Sequence, residues 1–218
     1  WLTLSEDGLL SGIPENDDVG TETITVRVTD SAGAIGERTF SLNVNNTNDA
    51  PVLEEILAPS STDEDAPFEY QLSASDIDAD VVDETLTFEA VEKPDWMTVS
   101  SSGLISGTPE NDDVGEHLIA VKVTDSAGES DTKAFTLIVN NTNDTPVLEE
   151  ISAPSSIDED ALFQYQLTAS DIDADVAEET LIFSSNNLPT WLTLSEDGLL
   201  SGIPENDDVG PETFTVRV

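Results

Sequence analysis

Along the chain, apolar and polar residues alternate in short runs separated by turn-forming clusters. Ile24, Val26 and Val28 alternate with Thr and Arg, and Phe40, Leu42 and Val44 with Ser and Asn. Phe135, Leu137 and Val139 repeat that second pattern, and Tyr70 and Leu72 follow the same rule. Successive side chains of an extended backbone point to opposite faces, so a period of two marks a strand with one buried side. Between the runs stand Ser102-Gly103, Ser106-Gly107, the Pro109–Gly115 loop and Ser126-Ala127-Gly128, all turn-forming combinations. No segment sustains a 3.6-residue apolar period, and helices are not expected.

The pattern recurs with a fixed spacing. Trp1, Trp96 and Trp191 stand 95 residues apart (96 − 1 and 191 − 96). WLTLSEDGLLSGIPENDDVG at Trp1 returns letter for letter at Trp191, with WMTVSSSGLISGTPENDDVG at Trp96 between them. Trp1–Val28 and Trp191–Val218 differ only at Thr21/Pro211 and Ile24/Phe214. A period this strict identifies a tandem array of one module. The expected domains are the C-terminal part of a repeat over 1–49, a complete repeat over 50–144, and the N-terminal part of a third over 145–218, lacking its last strand.

Seven strands fit the complete repeat. Strand A is expected near Val52–Ile56, B near Phe68–Ala74, C near Leu86–Ala90, D near Trp96–Val99, E near Leu104–Ser106, F near His117–Val123 and G near Thr132–Val139. Seven short strands in one small module is the count of an immunoglobulin-like sandwich. The expected fold is therefore all-β, with seven-stranded immunoglobulin/cadherin-like sandwiches in a linear array. Trp96, Phe88, Tyr70 and Phe135 are the expected large core residues, because aromatics dominate such cores.

Charge changes the functional picture. Six basic residues against 47 acidic ones give a net charge of −41. That excludes nucleic acid and anionic membrane as partners, since both need Lys and Arg to neutralise phosphate. No run approaches the roughly 18 consecutive apolar residues of a membrane span, so no membrane insertion is expected of this segment. With no cysteine in the sequence, disulfides cannot staple the modules, and a divalent cation is a candidate substitute.

The acids are clumped at the same places in each copy. Asp63-Glu64-Asp65 recurs as Asp158-Glu159-Asp160, and Asp76-Ile77-Asp78-Ala79-Asp80 as Asp171-Ile172-Asp173-Ala174-Asp175. Asn16-Asp17-Asp18 recurs as Asn111-Asp112-Asp113 and Asn206-Asp207-Asp208, and Asn46-Thr47-Asn48-Asp49 as Asn141-Thr142-Asn143-Asp144. Asp30 corresponds to Asp125. In an antiparallel sandwich the A–B and E–F loops share the end where strand G leaves. Glu64, Asp65, Asp112 and Asp113 then lie beside the linker Asn141, Asn143 and Asp144. The next repeat brings Asp171, Asp173 and Asp175 from its B–C loop to the same place. So many carboxylates at close range repel one another unless cations are bound. Clustered Asp, Glu and Asn oxygens suit Ca²⁺, which takes 6–8 oxygen ligands at about 2.3–2.6 Å, better than Mg²⁺ with its rigid octahedron. The equivalent first junction would use Asp17, Asp18, Asn46, Asn48, Asp49, Asp76, Asp78 and Asp80. Asp125, in the F–G turn, is expected to join it. Glu159, Asp160, Asp207 and Asp208 would face a further junction. An EF-hand reading of Asp76-x-Asp78-x-Asp80 fails, because Val81 replaces the required Gly and Thr87 the bidentate Glu.

These motifs resemble a known family. Asn46-Thr47-Asn48-Asp49-Ala50-Pro51-Val52 is similar to the Asp-x-Asn-Asp-x-x-Pro linker of cadherins, and Asp76-x-Asp78 to their Asp-x-Asp calcium ligands. Trp96 through Gly115, continuing over Val121-Lys122-Val123-Thr124-Asp125-Ser126-Ala127-Gly128, resembles bacterial dystroglycan-type cadherin-like (CADG) and "Putative Ig" (He_PIG) tandem repeats. The resemblance implies calcium at the junctions of a secreted or surface-anchored repeat protein. Two features depart from cadherins: Asn46 stands where they usually carry Asp, and their Asp-Arg-Glu motif is absent, leaving Asp112-Asp113 as its replacement.

Catalysis finds little support. The single histidine, His117, is replaced by Glu22 and Glu212 in the other copies, so it reads as a strand residue and not as a general base. No phosphate-cradling Gly loop or zinc spacing occurs. The expected function is a calcium-rigidified stalk or spacer in a large surface adhesin or extracellular filament, its partners being neighbouring repeats of the same chain or of like chains. The alternative is a carbohydrate-binding module that adheres to polysaccharide, which predicts exposed aromatics on one face.

Overall fold

The computed structural model describes residues 1–80, 84–175 and 179–218, with the side chains of Asp80 and Asp175 outside that description. In the first repeat, β1 (Leu2–Leu4) and β2 (Leu10–Gly12) form a hairpin. β3 (Gly20–Thr29) and β4 (Ile35–Val44) pair antiparallel without a bulge, from Gly20 opposite Val44 to Thr29 opposite Ile35. Their turn is held by Asp30, whose Oδ1 accepts the Ala32 and Ala34 N–H groups at 2.9 and 2.8 Å.

Among its described residues, the second repeat carries nine strands. They begin with β5 (Val52–Leu53), β6 (Ser61–Asp63), β7 (Phe68–Gln71), β8 (Ala74–Ser75) and β9 (Thr87–Glu92). β10 (Met97–Val99), β11 (Leu104–Gly107), β12 (Gly115–Thr124) and β13 (Ser130–Asn140) follow. One sheet has the order β10-β11-β7 and another β6-β13-β12-β9, while β5 pairs with β8. All seven expected strands are present. The expected strand B is divided into β7 and β8, and β6 is an addition. Its Ser-Thr-Asp sequence has no apolar residue to announce it; it exists because it lies parallel to the end of β13, with Ser61 opposite Ile138 and Asp63 opposite Asn140.

Period-two residues make the core. Leu53, Phe68, Leu72, Phe88, Met97, Ile105, Ile119, Val121, Val123 and Leu137 form one buried cluster, and full burial of each large side chain contributes about 1.5–3 kcal/mol. Of the expected aromatics only Phe88 is fully inside; Trp96, Tyr70 and Phe135 pack against the cluster half-buried. Tyr70 stays at the margin because its hydroxyl accepts the Leu57 N–H at 2.8 Å, a polar end that must find a partner. Trp96 meets Phe68 and His117 edge to face, with ring centroids 6.4 and 6.2 Å apart, so its ring covers the core edge. His117 lies on β12.

The third repeat repeats this pattern over β14 (Val147–Leu148), β15 (Phe163–Gln166), β16 (Ala169–Ser170), β17 (Leu192–Leu194) and β18 (Leu199–Gly202). Leu167, Phe183, Leu192 and Leu200 form its buried cluster. By compactness the chain forms two units. One consists of Trp1–Ser60, Pro67–Thr108 and Glu116–Leu137, the other of Ser61–Ala66, Pro109–Gly115 and Ile138–Val218. These boundaries differ from the 95-residue period: the segment carrying Glu64 and the loop carrying Asn111 belong with the third repeat.

One glycine is required by packing and not by a turn. On β11, Gly107 lies opposite Met97. A Cβ there would overlap the Trp96 carbonyl oxygen and stand 2.8 Å from the Trp96 ring, and Gly12 and Gly202 are blocked by the backbone of Trp1 and Trp191 in the same way. The Trp96 carbonyl leads directly into β10, whose pairing with β11 leaves it little room to step aside. Gly107→Ala is therefore expected to cost about 3 kcal/mol, the upper part of the overpacking range. Urea unfolding followed by tryptophan fluorescence reads this, and an unchanged midpoint would contradict it.

Candidate cation site at the repeat junctions

Pairing of β6 with the end of β13 carries the chain directly onto the linker that follows. Glu64 N–H donates to the Asn140 carbonyl at 3.0 Å, and Glu64 Oε1 accepts the Thr142 N–H at 2.6 Å. Glu64 is 2% exposed, yet its Oε2 has no hydrogen-bond partner. Asp65 adopts a left-handed conformation (φ 57°), and its N–H donates to the Pro109 carbonyl, joining this turn to the loop before β12. That loop contains a short 3-10 turn, Asn111–Asp113. Asp113 Oδ2 accepts the Glu110 N–H at 2.9 Å, which closes the turn. Asn111 is buried, and its Nδ2 donates to the Ile172 carbonyl at 2.9 Å.

Ile172–Asp175 is a second 3-10 turn, which directs Asp173 inward. Asp173 is fully buried; its Oδ2 accepts the Asp144 N–H at 2.6 Å, and its own N–H donates to Asp171 Oδ1 at 3.1 Å. Asn143 Nδ2 donates to the Asp144 carbonyl at 2.6 Å. Asp171, Asp173 and Glu179 each present a carboxylate oxygen within 4.8 Å of the other two. Burial, followed by the nearby Asp171 and Asp173 charges, holds the Glu179 carboxyl above its ordinary value, since both effects disfavour another negative charge.

The first junction repeats the geometry. Asn16 Nδ2 donates to the Ile77 carbonyl at 2.7 Å, Asp49 N–H to Asp78 Oδ2 at 2.7 Å, and Asp78 N–H to Asp76 Oδ1 at 2.9 Å. Asp78, like Asp173, is fully buried. Asp125 has both oxygens engaged. Oδ1 accepts the Ala127, Gly128 and Glu129 N–H groups, and Oδ2 accepts Asn48 Nδ2 at 2.8 Å. The Asn48 amide, with the backbone donors, lowers the Asp125 carboxyl from its usual value. Asp125 thus organises its turn and ties it to the linker.

The remaining expected ligands fall into two groups. Asp18 and Asp208, like Asp113, accept the backbone N–H of the Glu opening their own 3-10 turn. Asp17, Asp112, Asp207, Glu159 and Asp160 have exposed side chains. Those of Asp80 and Asp175 lie outside the described residues. Sequence reasoning missed Asn16 and Asn111, which hold the same place before Asp-Asp in each copy, and also Glu179. For the two asparagines the signal was there in the repeats, but charge drew attention to the acids beside them.

Orphaned atoms reveal the chemistry. Nine buried side-chain N or O atoms among the described residues lack a hydrogen-bond partner. Two are the indole nitrogens of Trp96 and Trp191; the others are Asn46 Oδ1, Asp76 Oδ2 and Asp78 Oδ1 at the first junction, and Glu64 Oε2, Asn111 Oδ1, Asn141 Oδ1 and Asp173 Oδ1 at the second. Buried polar atoms are nearly always satisfied, and burying unpaired charge is costly. Every orphan at the junctions is an acceptor oxygen. Two ion pairs, Arg27–Glu37 and Lys122–Glu89, lie on strands away from them. Such a set fits a hard cation.

Solved structures place the fold. Human CDH23 EC21-23 is similar with a TM-score of 0.63 at 16% identity, over 94% of this chain and 71% of that one. The protocadherin gammaB4 extracellular domain gives 0.51 at 17% identity, over 96% of this chain and 39% of that one. An endo-fucoidan hydrolase of glycoside hydrolase family 107 gives 0.39 at 24% identity, over 99% of this chain and 35% of that one. The first two share the fold of tandem cadherin-like sandwiches; the third is too dissimilar to inform. No curated protein sequence matches the chain. No helix among the described residues is long and apolar enough to cross a membrane. The Putative Ig domain model matches three times in tandem, over residues 1–45, 50–140 and 145–218, and the chain belongs to that family of immunoglobulin-like repeats.

Proposed function

We propose that the chain is a calcium-rigidified spacer in an extracellular surface protein or filament, without catalytic activity of its own. The observation that carries this reading is the set of orphaned acceptor oxygens at both junctions, with the fully buried Asp78 and Asp173 at their centres. At the second junction, Glu64, Asn141 and Asp144 would hold the ion from one side and Asp171, Asp173 and Glu179 from the other, with Asn143 and Asp144 fixing the linker. Asp65, whose side chain is exposed, would complete the coordination. At the first, Asn46, Asn48, Asp49, Asp76 and Asp78 would do the same. Calcium supplies positive charge to a region whose buried, unpartnered side-chain atoms are all acceptor oxygens. Once bound by two repeats and the linker together, it removes the freedom of the linker to bend. Partners are adjoining repeats in the same chain or in like chains, in keeping with the extracellular character of the cadherin domains that share the fold.

Small-angle scattering tests the mechanical claim. The chain is expected to show a larger and more narrowly distributed maximum dimension in millimolar calcium than in chelator at equal ionic strength. Identical scattering profiles in the two would refute rigidification.

A further inference from the structure

We infer that Asn111 is a neutral cation ligand whose amide is locked in place by the following repeat. The inference rests on the calcium reading above and adds a residue and a means of orientation to it. The Asn111 side chain is 7% exposed, and its two polar ends have different fates. Nδ2 donates to the Ile172 carbonyl at 2.9 Å, whereas Oδ1 is buried with no partner. An amide that spends its donor end on a carbonyl cannot turn over without setting oxygen against oxygen, so that bond fixes where Oδ1 points. Ile172 sits between Asp171 and Asp173, so the bond reaches the segment that brings in the buried carboxylate. Asn111 also lines the same cavity as Asp65, Asp144 and Asp171.

The neighbouring acids are otherwise placed. Asp112 is exposed, and Asp113 Oδ2 accepts the Glu110 N–H within its own turn. The oxygen of this loop that is buried without a partner is the amide oxygen of Asn111. The first junction makes the same bond, from Asn16 Nδ2 to the Ile77 carbonyl at 2.7 Å. Amide carbonyl oxygens are ordinary ligands for calcium. A neutral ligand adds coordination without further charge repulsion, which matters where Asp171, Asp173 and Glu179 already stand together. Ligation and the bond to Ile172 reinforce each other: a cation drawn to Oδ1 polarises the amide and strengthens its N–H donor.

Calcium titration calorimetry on the whole chain tests this, with Asn111→Ala, Asn111→Asp and Asp173→Asn beside the unsubstituted protein. Asn111→Ala is expected to weaken the second-junction class of sites by at least about tenfold and leave the first-junction class unchanged. Asn111→Asp loses the donor to Ile172 but keeps an oxygen, and is expected to bind more tightly than Asn111→Ala. If Asn111→Ala titrates like the unsubstituted chain while Asp173→Asn loses the second class, Asn111 is no ligand and the calcium reading stands. Should Asn111→Asp fall as far as Asn111→Ala, the bond to Ile172 alone matters and ligation by Oδ1 is refuted. Absence of calcium binding by the unsubstituted chain would overturn both readings together.

Discussion

Chelation of calcium is expected to lower the melting temperature of the chain by roughly 10–20 °C. The size follows from linkage: a ligand at about 100 times its Kd stabilises the folded state by about 2.7 kcal/mol per site. Two junctions together give about 5 kcal/mol, and a chain of this length shifts by about 2–4 °C per kcal/mol. Net charge sets the necessary control. At −41 the chain repels itself, and any salt relieves part of that repulsion by screening. Sodium chloride matched in ionic strength to the calcium buffer is therefore expected to recover only a small part of the shift. Equal melting curves in calcium and in matched sodium chloride would reduce the junction acids to solvated surface charge.

Asp173→Asn is expected to change the sign of its effect with calcium. In millimolar calcium the substitution removes a central charged ligand and loses up to about 2.7 kcal/mol of linked stability at that junction. In chelator it is neutral or stabilising. The carboxylate is fully buried with one orphaned oxygen, a costly state that a neutral amide relieves. Asn retains an oxygen to accept the Asp144 N–H now bound by Oδ2, and its NH₂ group offers donors to a region lined with acceptors. Thermal melts of both proteins under both conditions read the crossing directly. A loss of stability of the same size in chelator would assign Asp173 a structural role independent of any cation.

Much of this architecture was legible because repetition and alternation are local signals. The expected strand F, near His117–Val123, corresponds to β12, and strand G, near Thr132–Val139, to β13. Acids clumped at loop positions, combined with antiparallel topology, were enough to bring Glu64, Asp144 and Asp173 into one neighbourhood on paper. The errors also have physical causes. β6 was missed because its extended form depends on an available edge of β13 and not on its own residues. Tyr70 and Trp96 were placed too deep, since ring size favours burial while a hydroxyl bonded to Leu57 and edge-to-face contacts hold them at the margin.

Within the candidate site, composition could not distinguish the tasks of like residues. Asp112 and Asp113 read as equals, yet one is exposed and the other closes its own turn. Asp125 read as a ligand on position alone, and both its oxygens are occupied by protein donors. Asn111 carried no charge to attract notice, although its oxygen is the one left buried and unpaired. The sequence by itself determined the module, its period, its sandwich class and the ends at which acids gather, because periodicity and turn chemistry act over a few residues. Only the tertiary structure decided which oxygens face inward without a partner. That depends on hydrogen bonds between segments 61 and 78 residues apart, such as Asn111 to Ile172 and Thr142 to Glu64, which no local pattern encodes.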